Sequence, residues 1–186
     1  MSRLSREQLV DLEQAIFELG EGTVEESGAS FSRSDLVDTI REARSAMRDT
    51  VCNLPDPAFG SQLSNEEGDR EWSAGEIVGH ITESMLWLQF ALRRLAGEEP
   101  EGAPADKLGV IVRDRNATLS LLDRADRELE LALLLANQID DGPRTHIDWL
   151  GDVGVRGLLL LHAMHEWEHA NQIADLSSSL PQSGRV

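Results

Sequence analysis

A chain of 186 residues with 40% apolar content has enough material for one domain with a sizeable core. Its 34 acidic and 17 basic residues leave a formal net charge of −17, which repels nucleic acid and anionic membranes. Cys52 is the single cysteine; this excludes an intramolecular disulfide and fits a reducing compartment. The N-terminal "MSRLSREQLVDLEQ" lacks the apolar centre of a signal peptide. No apolar run approaches the roughly 20 residues that span a bilayer. The expected location is the cytoplasm.

Helical periodicity dominates the chain. "SREQLVDLEQAIFEL" (5–19) puts Leu9, Leu12, Ile16 and Leu19 on one face, which predicts a short amphipathic helix. Residues 20–31 read as a polar, Gly/Ser-rich linker. A second helix is expected over 32–54, opening on Ser/Asp capping chemistry. Residues 55–72, with prolines, glycines and charges, read as a long connection. The next helix, 73–97, begins with Ser73 and Glu76 in a capping-box spacing and stops at Gly97. One long helix is expected over 106–139, bent near Asn116, and the last over 152–180, with a frayed tail after Pro181. The loops "EEPEGAPA" and "DDGPRTHIDWLG" join them.

The expectation is an all-α fold, a four-helix bundle with an extra short N-terminal helix. The long loops after the second and third helices predict crossovers rather than a simple up-down array. The expected units are residues 1–31 (helix and linker), 32–180 (bundle) and 181–186 (tail).

The last helix carries "LLLLHAMHEWEHANQIADL" (158–176), with three of the five histidines. Residues four apart on a helix are offset by ~40° and ~6 Å, so His165 and His169 point the same way and can share one metal. His162 lies a turn earlier on the same stripe and Gln172 continues it. Such a polar seam in an apolar helix needs partners. His80, on the apolar-periodic helix "GEIVGHITESMLW", supplies one. Bundle metal sites are built from inward side chains on facing helices, and three histidines with an open position match the arrangement of catalytic metal sites. Satisfied core histidines remain the plainer alternative.

The string HEWEH also matches the H-E-x-x-H protease signature, with Glu166 as base. Two features oppose it. Gln172 stands where a chain-turning glycine is needed. On a continuous helix Asp175 lies ~15 Å beyond His165, too far to complete the site. Glu166 then reads as a helix-surface carboxylate or one behind the ligands.

Three segments carry a resemblance. "EWSAGEIVGHITES" (71–84) resembles the W-[ST]-x-x-E-[VI]-x-x-H-[LI] segment of the DinB/YfiT-like family. "LPDPAFG" (54–60) is similar to that family's first-helix exit. "THIDWLGDVGVRGLLLLHAMHEWEHANQI" (145–173) resembles its last helix, with Asn171 where many members have glycine. The similarity covers roughly residues 33–176. It implies an up-down-down-up bundle and a divalent metal on His80, His165 and His169. It also implies kinship with transferases and isomerases that use bacillithiol or mycothiol.

The leading expectation is therefore a metal-dependent enzyme of the thiol-transferase or isomerase type acting on a small electrophile. The alternatives are a non-catalytic, metal-stabilised binding or sensor protein on the same fold, and a plain bundle without metal. Three imidazoles suit zinc, nickel, iron or copper. The expected partners are a small-molecule thiol and an electrophile, with no nucleic acid and no membrane; a homodimer stays open.

Glu83, His162, Glu166 and Gln172 are candidates for supporting the ligands or lining a pocket, with an arginine ion pair the favoured reading of Glu83. Trp87 and Trp167 read as core or pocket wall. Cys52 reads as a core or surface thiol, and His146 as a solvated loop residue able to reach a pocket mouth. "RELE" (127–130) reads as a solvated face.

Overall fold

The computed structural model describes residues 3–60, 63–64, 70–102 and 112–179. Three of its four long helices open on a side-chain cap, which satisfies N–H groups that have no partner inside the helix. Ser32 caps α3 (Arg33–Asn53) by accepting from the Asp35 N–H. Ser73 and Glu76 form a reciprocal capping box on α5 (Ala74–Leu95). Asp114 caps α6 (Arg115–Ala136) through the Ala117 N–H. The fourth long helix is α7 (Val155–Ser179). Ahead of them lie α1 (Arg6–Glu13), continued by a π turn (Gln14–Glu18), and α2 (Val24–Ala29). A single turn, α4 (Pro57–Gly60), and a short pair, β1 (Leu63–Ser64) and β2 (Arg70–Glu71), precede α5. A hairpin of β3 (Thr145–Ile147) and β4 (Gly151–Val153) leads into α7, with Thr145 opposite Val153.

Side-chain bridges fix the helix directions. Arg33, at the start of α3, donates to the Ala136 carbonyl at the end of α6, while Arg115 donates to the Cys52 and Leu54 carbonyls. These two helices are antiparallel. Arg156 reaches the Phe31 carbonyl and Arg44 reaches Glu166, so α3 and α7 run together. Gln89 bonds Glu128, and Gly75 lies against Val112 just before α6, so α5 and α6 are parallel. Arg94 meets the His146 carbonyl while His80 meets His165, so α5 opposes α7. The order is up-down-down-up. The ring closes through α3–α7, α7–α5, α5–α6 and α6–α3.

Two apolar clusters are stacked along the bundle. One holds Leu36, Ile40, Leu92, Leu133 and Leu159, and the other Met47, Phe59, Ile77, Leu122 and Ile173. Between them lies a polar layer, in which Arg44 (4% exposed) and Glu166 (0%) are buried together. Gly75 is required here by close approach: a Cβ on it would sit 1.8 Å from the Val112 carbonyl oxygen.

Several element readings are corrected. The stretch expected to be linker, 20–31, carries α2, capped by Thr23 on the Glu26 N–H. The connection 55–72 carries α4 and the β1–β2 pair. The helix expected from 106 begins at Arg115, because Asp114 is extended and acts as its cap; residues 106–111 lie outside the described residues, as does the tail 181–186. Asn116 marks no bend, since it lies in the first turn of that helix. The loop 140–151 contains most of the β3–β4 hairpin. Leu4, Leu9 and Val24 of the N-terminal segment are buried in the first cluster. "RELE" is only partly a solvated face: Glu130 pairs with Arg41, Glu128 bonds Gln89 and Leu129 is buried. Among the described residues no helix is long and apolar enough to cross a membrane.

Candidate metal centre

The antiparallel packing of α5 against α7 brings His80 to the H-x-x-x-H pair. His80 Nε2 lies 3.0 Å from His165 Nε2, which lies 3.0 Å from His169 Nε2. The three imidazoles form a group whose ligand atoms all fall within 4.8 Å of one another. Trp72, just before the Ser73 cap, closes one side. It stands edge-on to His80 at 5.1 Å and stacks on His169 at 6.3 Å.

Proton bookkeeping shows what this group fits. His169 Nδ1 is 2.9 Å from Gln172 Oε1. That oxygen only accepts, so Nδ1 carries the proton and neutral His169 presents a lone pair at Nε2. His165 Nε2 has one hydrogen at most, and two nitrogens face it. Lone pairs therefore converge on a space that a cation would satisfy. A tetrahedral ion with metal–nitrogen distances of ~2.0–2.1 Å would hold such nitrogens ~3.3 Å apart, close to the spacing present. Burial, then the neighbouring His169, lowers the pKa of His80. Burial, then His169 and His162, holds that of His165 well below its ordinary 6.5, against the opposing pull of Glu166. Both are thus neutral, metal-ready imidazoles at neutral pH. His165 Nδ1 is buried with no hydrogen-bond partner.

The supporting candidates separate. Gln172 orients His169 directly. His162 Nε2 lies 3.2 Å from Glu166 Oε1, without the alignment of a hydrogen bond, and its ring stacks beside His165 at 6.0 Å. Glu166 is not a helix-surface residue. It is wholly buried and gripped by Arg44 through Nε–Oε2 at 2.8 Å and Nη2–Oε1 at 2.6 Å. Burial would raise its carboxyl, but Arg44 outweighs that and holds it far below the ordinary 4.5. Arg44 also bonds Asp126, which Arg48 shares. A carboxylate so committed is unavailable as a protease base. Helix α7 also continues past Gln172, and the third histidine comes from α5. Glu83 lines a cavity instead of pairing with an arginine among the described residues, and burial raises its pKa.

Two cavities meet at the histidines. One, of about 750 Å³, is walled by Trp87, Leu88, Phe90, Leu158 and Leu161 and reaches His80, His162 and His165. His146 lines its mouth with Nδ1 bonded to Asp152 at 2.9 Å. The other, of about 700 Å³, is lined by Trp72, Glu168, Gln172 and Asp175 and reaches all three histidines of the group. Trp167 instead packs between the two apolar clusters, and Cys52 is exposed.

Sequence reasoning missed Arg44 and Trp72. Arg44 interrupts the apolar stripe Val37–Ile40–Met47–Val51, and an arginine on such a stripe signals a buried acidic partner. Trp72 directly precedes the capping box, where an apolar residue commonly folds back onto its helix.

The class of protein is now defined: an up-down-down-up bundle in which a histidine of the second long helix faces an H-x-x-x-H pair on the fourth. The model of the DinB superfamily matches residues 39–173, and the chain belongs to that superfamily. No curated protein and no solved structure matches the chain.

Proposed function

We propose that the chain holds one divalent metal ion on His80, His165 and His169 and uses it in thiol-transfer or isomerase chemistry on a small electrophile. The observation that carries this reading is the position of His80 and His165, which line both cavities. An ion on them is approachable from two sides by two different molecules. A bound divalent ion stabilises a thiolate, the nucleophilic form of sulfur.

The chain's own residues divide the remaining work. Three protein ligands leave a coordination position for water, thiol or substrate. Gln172 fixes the His169 tautomer, a role that partners of metal-bound histidines commonly fill. The apolar cavity suits an electrophile, and the cleft lined by Glu168, Gln172 and Asp175 suits a hydrophilic thiol. Cys52 lines neither cavity, so the thiol comes from a co-substrate. Zinc, nickel and iron all suit imidazole ligands.

The test has two stages. Elemental analysis of freshly purified protein is expected to find one divalent ion per chain. The cobalt-substituted protein is then titrated with small thiols, and sulfur entering the coordination shell changes its visible spectrum. A spectrum indifferent to every thiol and small anion would favour a metal-stabilised binding protein over an enzyme.

A further inference from the structure

The apolar cavity has a direction. His80, Ser84, Trp87, Ala91 and Arg94 all line it, and they recur at the four-three spacing of one helix face. From the first to the last the stripe runs 14 residues, or about 21 Å along α5. Leu158, Leu161 and His165 of α7 form the opposite wall, and the β3–β4 hairpin and its turn cover the outer half with Ile147 and Leu150. The result is a groove with the histidine group at its inner end and Arg94 at its outer end.

Arg94 is one of six described arginines, with Arg6, Arg93, Arg113, Arg124 and Arg127, that form no ion pair among the described residues, and the one of the six that lines this cavity. Arg33, Arg41, Arg44, Arg48, Arg115, Arg144 and Arg156 all pair with carboxylates. Arg94 has no carboxylate partner among the described residues. Its contacts are a long 3.4 Å approach to the His146 carbonyl and the face of Phe90, 5.9 Å away. A basic residue in the last turn of α5 complements the helix dipole, but Arg93 beside it does that equally. The dipole does not explain why one of the two lies on the cavity stripe. Arg94 is the only lysine or arginine among the described residues that line it.

We infer that this groove binds an elongated amphipathic monocarboxylate, with its apolar chain along the α5–α7 walls and its carboxylate at Arg94. The volume, about 750 Å³, falls in the range of small-molecule sites. Exposed charges beyond ~8 Å are screened at physiological salt, so the acidic residues that bear on the ligand are the two that line the groove, Glu83 toward its inner end and Asp148 on the hairpin turn. The geometry puts the chain's far end at the wall of His80 and His165. The inference rests on the metal-centre reading only for the chemistry done there, not for binding.

The test is calorimetric titration of the full chain, metal-free and zinc-loaded, with decanoate, decanol and butanoate. Decanoate is expected to bind once per chain in both forms, decanol more weakly, and butanoate not measurably. Arg94→Met should weaken decanoate about fivefold, the size of an exposed ion pair, and leave decanol unchanged. Ala91→Trp should abolish binding of both. Leu161→Trp fills the groove from the other wall and replaces it if the first variant loses helicity. Absence of decanoate binding, indifference of decanoate to Arg94→Met, or undiminished binding in a folded groove-filled variant would each overturn the inference. Decanoate binding in a chain that takes up no metal would leave it standing and sink the metal-centre reading instead.

Discussion

Arg44 and Glu166 join α3 to α7 through a two-pronged ion pair buried between the two apolar clusters, with contacts of 2.8 and 2.6 Å. Glu166 follows His165 in sequence, and its Oε1 lies 3.2 Å from His162 Nε2. The pair thus sits directly behind the histidine group and helps hold that stretch of α7 in place.

Removing Glu166 leaves buried Arg44 with only Asp126, which it shares with Arg48, so the cost approaches that of breaking a buried pair, about 3–5 kcal/mol. Glu166→Gln is therefore expected to destabilise strongly in urea unfolding, and the double change Arg44→Met with Glu166→Leu to recover most of the loss. The pH dependence has a definite sign. The folded pKa of Glu166 lies below its ordinary 4.5, so its contribution is complete above pH 4.5 and fades as pH falls below that value. Glu166→Gln should lack this part of the acid sensitivity. Equal acid slopes in the two proteins would show that the pair does not titrate as stated.

The histidine group was legible because its information is local. The four-residue spacing of His165 and His169 fixes their common direction, and His80 lies on an apolar-periodic helix that must face inward. The ion pair was not legible in the same way, because Arg44 and Glu166 are 122 positions apart and only the α3–α7 packing joins them. Some local signals were outweighed by composition. Thr23 and Glu26 have capping-box spacing, yet the glycines and serines around them read as linker. Asp114 read as the interior of a longer helix, although it is a good cap. The apolar cavity depends on how the β3–β4 hairpin folds over α5, and no sequence period encodes that.

For the metal, replacing His165 and His169 together with alanine is expected to reduce bound divalent ion from one per chain to none. His80→Ala alone should weaken affinity, since two imidazoles remain. Uptake should also fall as pH drops and protons compete for the same nitrogens. Elemental analysis after dialysis against a metal buffer measures this. Unchanged metal content in the double variant would place the ion elsewhere.

Gln172 gives a finer test. Its Oε1 accepts from His169 Nδ1 and so presents the Nε2 lone pair to the group. Gln172→Leu removes that acceptor from a half-buried position without removing a ligand. Changes of this kind typically cost 10–100-fold in metal affinity, and we expect about tenfold here, measured by competition with a chelator. The isosteric Gln172→Glu keeps an acceptor and should retain affinity. If Gln172→Leu and Gln172→Glu lost affinity equally, the hydrogen bond would not be the cause.

The N-terminal segment offers the last test. Gly28 packs α2 against the first turn of α7 so closely that a Cβ would lie 2.7 Å from the Arg156 carbonyl oxygen and 2.8 Å from the Gly157 nitrogen. Both are backbone atoms and cannot rotate away, so α2 must shift outward in Gly28→Ala. Two contacts would be strained. The Glu25 carboxylate accepts from the Gly154 N–H at 2.7 Å, at the head of α7, and Arg156 donates to the Ala29 carbonyl at 2.9 Å. Overpacking of this kind costs about 1–3 kcal/mol. Removal of residues 1–31 should cost more, because Leu4, Leu9 and Val24 are buried and each such side chain is worth about 1.5–3 kcal/mol. His165 lies eight residues, about 12 Å, beyond Gly157 along α7. Gly28→Ala is therefore expected to lower the urea midpoint while leaving metal stoichiometry unchanged. A midpoint equal to the parent's would mean that α2 does not hold this contact in solution. Loss of metal at unchanged helicity would mean that the N-terminal segment shapes the histidine group as well as the bundle.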